Sequence, residues 1–71
     1  QHPTLRDVAG WLEENSGISI AVPDVPYSDK PIPHFTHNGT GYQLLNNLGR
    51  AFSITDYIWY PLPDGSLYVG G

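Results

Sequence analysis

The sequence has no cysteine. No disulfide can staple the fold, and no thiolate can hold a metal. Basic residues are scarce as well: Arg6, Lys30 and Arg50 stand against seven carboxylates, for a formal charge of -4. They are scattered, so no basic stripe can displace counterions from a phosphate backbone. Nucleic acid and anionic membrane surfaces are therefore poor partners. Long apolar runs are missing too. Nothing approaches the 18 or so residues of a membrane span, and no signal peptide can be read, so no membrane insertion is expected. Gln1 stands where an initiator methionine would, which predicts a single small domain over 1–71, excised from a longer chain.

What is present must hold the fold by packing. Seventy-one residues contain two tryptophans, five tyrosines and two phenylalanines. A core of this size supplies roughly 3–5 kcal/mol of net stability, and large rings contribute much of the buried area.

One stretch, Ile32 to Phe52, organises the rest. Its Asn38-Gly39 step tolerates positive φ and reverses the chain. Thr40 stands at a helix N-cap, and Gln43 follows at capping-box spacing. Leu44, Leu45, Leu48, Ala51 and Phe52 then recur at helical intervals, which predicts a helix over about 41–52 with one apolar face. Gly49 inside it predicts close packing on the sheet.

The N-terminal segment has the same design. Thr4 caps a helix, Asp7 sits in its first turn, and Gly17 suits its left-handed C-terminal cap. Leu5, Val8, Ala9 and Leu12 form the stripe. Trp11 stands beside it, as a lid on the core or as an exposed contact. Ile18-Ser-Ile-Ala-Val22 alternates, predicting a strand with Ile18, Ile20 and Val22 inward. The prolines of 23–31 predict a surface loop. Ile32 to Thr36 reads as a second strand, with Pro33 marking an edge position or a strand start. Tyr57 to Tyr60 reads as a third, with Tyr57 and Trp59 on one face and Ile58 and Tyr60 on the other. Asp64-Gly65 marks a hairpin into a last strand, Leu67 to Val69, before Gly70-Gly71 begins a linker. The fold class is α+β: two helices packed on one face of a small three- to four-stranded sheet, in the order α-β-β-α-β-β.

No catalytic, cofactor-binding or metal site emerges. His34 and His37, three apart on a strand, point to opposite faces and chelate poorly. Asn38-Gly-Thr-Gly41 could hold an anion at a helix start. It lacks a lysine, however, and a turn plus an N-cap explains every residue. Asn38-Gly-Thr40 also matches the N-glycosylation triplet, which has meaning only in a chain secreted by a eukaryote. The carboxylates form no pair at one cleft, and no serine has a nucleophile context. Enzymatic activity is not expected.

Aromatic residues are in surplus instead. Tyr57, Trp59, Tyr60 and Tyr68 exceed what one face of a small sheet can absorb. Together with Tyr27 in the proline loop they are the candidate protein-interaction residues.

Two resemblances arise from these residues. Thr4-Leu-Arg-Asp-Val, Ser16-Gly-Ile-Ser-Ile-Ala-Val22, Tyr42-Gln-Leu-Leu, Phe52-Ser-Ile and Asp64-Gly-Ser-Leu-Tyr-Val69 together resemble the small repeated α/β domains of tailed-phage baseplate hub and late-control tail proteins. The pattern is also similar to the short N-terminal domains of secretins and TonB-dependent signalling receptors. The proline-rich loop 23–31 and Pro33 depart from that second pattern. Both resemblances imply a non-enzymatic module that docks other subunits or domains of its parent assembly, with a homo-oligomer possible in the full-length protein. The first implies a virion tail, or the host cytoplasm during assembly; the second implies the periplasm.

Overall fold

The structure is a computed structural model and describes residues 2–33, 35–36 and 39–71. Helix α1 spans Leu5–Ser16 and helix α2 spans Gly41–Ala51. Between them lie a two-residue strand, β1 (Ile20–Ala21), and a 3₁₀ turn, Pro26–Asp29. Strands β2 (Ile58–Pro61) and β3 (Leu67–Gly70) follow. The chain is therefore α+β, with a sheet of three strands in the order β1-β3-β2. β1 runs parallel to β3, and β2 runs antiparallel to it.

Both helices begin with reciprocal capping boxes. The Thr4 hydroxyl accepts from the Asp7 amide at 3.0 Å, and the Asp7 carboxylate accepts from the Thr4 amide at 3.0 Å. Thr40 and Gln43 repeat the arrangement at 3.1 and 2.9 Å. Each box satisfies amides that the first helical turn cannot. Gly17, at φ 75, closes α1 in the left-handed conformation. α2 ends in a Schellman motif with Ser53 at the left-handed position (φ 55). The Ile54 amide returns to the Gly49 carbonyl, and the Ser53 amide returns to that of Arg50. That reversal delivers Ile54 into the core.

The two apolar stripes meet in one core, as their matched periods predict. Leu5, Val8 and Leu12 of α1 share a cluster with Leu44, Leu45 and Leu48 of α2, Phe52, Ile54 and Val69 of β3. Ile20, Leu67 and Trp59 pack against it from the same face of the sheet.

Four local expectations are corrected. Among the described residues of 32–36 no strand forms. Ile32 and Phe35 both pack on the core, whereas a strand would send residues three apart to opposite faces. A backbone bond from the Ile32 amide to the Pro3 carbonyl at 3.0 Å ties this segment to the N-terminus. Second, Ile18 is exposed rather than inward. Its amide donates to the Ser16 hydroxyl just after the helix cap, so pairing starts only at Ile20. Third, the proline segment is tethered. Pro26 opens a 3₁₀ turn, a position where its missing N–H costs nothing. The buried Ser28 hydroxyl donates to the Pro23 carbonyl at 2.5 Å. Arg6 of α1 clamps Asp29 at 2.9 Å, which holds the guanidinium pKa up and the carboxylate pKa down. Fourth, Gly70 belongs to β3, paired with Ile58, and is buried. The Gly71 amide donates to the Tyr27 hydroxyl at 2.8 Å.

No helix is long and apolar enough to cross a membrane, among the described residues.

Candidate interaction surface

The hairpin determines where each aromatic ring goes. Asp64 accepts from the Ser66 hydroxyl at 2.6 Å and from its amide at 3.0 Å, which fixes the turn. Those bonds hold the Asp64 carboxyl below its usual range, the hydroxyl contributing most. The Leu62 amide donates to the Ser66 carbonyl at 2.8 Å, and this sets the register. Trp59 then stands opposite Val69, and Tyr60 opposite Tyr68. Neighbouring residues of a strand face opposite ways, so the rings are sorted onto two surfaces.

On the helix side, Tyr57 and Trp59 are half-buried. The Tyr57 hydroxyl donates to the Leu45 carbonyl inside α2, and its ring lies against Gly49. Burial pushes its pKa from 10.0 up to about 12. Trp59 donates its indole N–H to Asn46 Oδ1 at 2.8 Å and lies 5.8 Å from the Tyr42 ring. On the outer side, Tyr60 and Tyr68 are cross-strand partners with ring centroids 5.1 Å apart. Ile58 stands on the same face and is 53% exposed. Pro23 approaches Tyr68 and Gly70 at one end of this face. Tyr27 is half-buried, packs against the core and accepts the Gly71 amide. The five expected interaction residues thus do not form one surface. Tyr60 and Tyr68 share the outer face, where the half-buried Tyr68 donates its hydroxyl to the Gly71 carbonyl at 3.2 Å and lies near Tyr27; Tyr57, Trp59 and Tyr27 each have a partner that holds the fold together.

More exposed than any of those five are Tyr42 (70%) and Trp11 (55%). Tyr42 was legible in principle. It stands two residues from Leu44, about 200° around the helix, and so points away from the stripe.

Of the remaining candidates, His34, His37 and Asn38 lie outside the described residues. Thr40 and Gly41 are occupied as N-cap and first turn of α2. Gly39 is required there, because a Cβ would meet Gln43 Oε1 at 1.9 Å and break the capping box. Among the described residues no three His, Cys, Asp or Glu converge on a metal position.

Tyr57 gives a pH signature. Its folded pKa exceeds the unfolded value, so the folded state retains the proton more tightly. The stabilisation is fully present below pH 10 and is lost as pH rises through about 12. Tyr57→Phe should cost about 1 kcal/mol at neutral pH. In urea titrations across the alkaline range, the advantage of the parent chain over Tyr57→Phe should vanish between those two values. A constant difference would mean that the hydroxyl is solvated.

The chain is 53% identical over 70 residues, 99% of its length, to an uncharacterized 58.7 kDa protein encoded in the lys 3′ region of Haemophilus phage HP1 (strain HP1c1). It spans 13% of the length of that relative. No protein-family profile and no solved structure matches the chain. The similarity is thus to a phage protein, carried by nearly every element of this small α+β fold.

Proposed function

We propose that the chain is a non-enzymatic structural and protein-interaction module of a phage tail assembly of the baseplate type. One observation carries the reading. The outer face of the sheet, opposite the helices, presents the exposed Ile58 and Tyr60 beside the half-buried Tyr68, in a chain with barely enough core for itself. Contiguous aromatic and aliphatic surface of that kind marks contact with another protein. The similarity to a phage protein supports the tail reading over the periplasmic one. Repetition in an assembly compensates for modest affinity per copy.

The test uses phage HP1 carrying an epitope tag on the 58.7 kDa relative, with this chain replacing the matching stretch. The tag should copurify with tails. Ile58→Asp combined with Tyr60→Asp should leave the chain folded, since both positions are exposed, while removing the tag from tails. A tag found only in soluble lysate protein would overturn the tail assignment. Tails that incorporate the double variant normally would exclude this face as the contact.

A further inference from the structure

The helix side of the sheet is not wholly covered. An apolar groove of about 780 Å³ runs between the last turn of α1 and the first turn of α2. Leu12, Ile18, Ile20, Leu45, Trp59 and Leu67 form its floor and walls. Among the described residues no charged side chain lines it. Ser16, at its margin, already donates to the Leu12 carbonyl and accepts the Ile18 amide. A polar small molecule would find few groups to orient it, whereas aliphatic side chains would find a matching surface.

The charges around the groove are one-sided. The Glu13 carboxylate, near the C-terminus of α1, accepts the amide of the groove residue Ile20 at 2.7 Å, and the last turn of α1 has no base. Carbonyls at a helix C-terminus are already negative, so a carboxylate there reinforces the field instead of cancelling it. Asp64 precedes Gly65, which closes the groove at the hairpin. The lysine and arginines are elsewhere. Arg6 is in the first turn of α1 and paired with Asp29, Lys30 follows the 3₁₀ turn, and Arg50 is in the last turn of α2. A second copy of this acidic chain would bring like charge to that end.

We infer that the groove receives an apolar segment of a partner protein that carries lysine or arginine on its flanks. This contact is separate from the outer face proposed above and uses the opposite side of the sheet. Burial supplies affinity, while the acidic surround selects the partner and speeds encounter.

The experiment titrates the isotope-labelled 71-residue chain with two peptides. Both share a leucine-rich centre; one has lysines at its ends and the other glutamates. The lysine peptide should saturably shift the Trp59 indole N–H and the Leu67 and Ile20 amides, leaving the Trp11 indole unmoved. The glutamate peptide should bind about tenfold more weakly at low salt, and the gap should narrow in ~1 M salt. Ile18→Asp, at an exposed position, should abolish the shifts while the rest of the spectrum is kept. Equal binding of the two peptides, shifts centred on Ile58 and Tyr60, or no binding at millimolar peptide would each overturn the inference. So would concentration-dependent broadening of the groove resonances without peptide, which would identify a second copy as the occupant. Tail incorporation in HP1 does not enter any of these readouts, so the two proposals fail separately.

Discussion

Leu48→Ala should unfold much of the domain. Leu48 is 1% exposed and lies where the stripe of α2 meets Leu5, Val8, Leu12 and Val69. Truncation removes buried methyls and leaves a cavity that the surroundings cannot fill. The capping box at Thr40 and the Schellman turn at Ser53 fix both ends of the helix. Buried leucine truncations of this kind cost roughly 2–5 kcal/mol. A domain of this length holds roughly 3–5 kcal/mol in total. Urea unfolding followed by circular dichroism should therefore show a midpoint near zero denaturant. Leu48→Met, which keeps the volume, should lose less than about 1.5 kcal/mol. Asn47→Ala, on the exposed side of the same helix, should stay within about 0.5 kcal/mol. An unchanged midpoint for Leu48→Ala would mean that the two stripes do not share a core.

Both helices were legible to within a residue, and the reason is local. Each start has an acceptor and a donor three residues apart, each stripe has a 3.6-residue period, and α1 has a glycine where it ends. None of these depends on what lies across the core. The hairpin was legible for the same reason, since Asp64-Gly65 sets the turn and the register follows. The segment from Ile18 to Thr36 was not. Its alternation fits a strand, but strands need a partner, and β3 offers β1 only two residues. The partner's position depends on long-range packing that no local pattern records. Ser28 shows the same limit: its hydroxyl is buried because Arg6 and Asp29 fasten the 3₁₀ turn onto α1, from 23 residues away.

The interaction surface was legible as a surplus of rings and not as a place. Counting Tyr57, Trp59, Tyr60 and Tyr68 gives too much aromatic area for one face. Alternation puts Ile58 and Tyr60 on the opposite face from Tyr57 and Trp59 without saying which face is the outer one. It says nothing of Tyr57 being spent on the Leu45 carbonyl, or of Trp59 donating to Asn46. Those partners come from the angle at which α2 crosses the hairpin, and Gly49 is where that approach becomes close.

Replacing glycine by alanine in this protein should change sign between the two helices. In a helix interior the substitution ordinarily stabilises by about 1 kcal/mol, because alanine has less backbone entropy to lose. Gly10, in α1, meets that condition, since a Cβ there would have nothing within 4 Å. Gly10→Ala should raise stability by close to that amount. Gly49 is the opposite case. A Cβ there would lie 2.4 Å from Tyr57 Cγ, 2.5 Å from its Cβ and 2.6 Å from its Cδ2. These atoms form the root of the side chain, immediately before β2, and cannot swing aside as a chain tip would. Either the hairpin moves off the helix or the Tyr57 ring leaves, and both break the hydroxyl's bond to Leu45. Overpacking of this kind costs about 1–3 kcal/mol, and the lost hydrogen bond adds to it, so the propensity gain is outweighed. Gly49→Ala should therefore unfold at lower urea than the parent, with the Trp59 indole signal displaced in the folded fraction. Tyr57→Ala introduced alongside it should not rescue the loss, because the Cβ that alanine retains still lies 2.5 Å from the new methyl. If Gly49→Ala proves as stabilising as Gly10→Ala, the helix does not rest on the hairpin at this point.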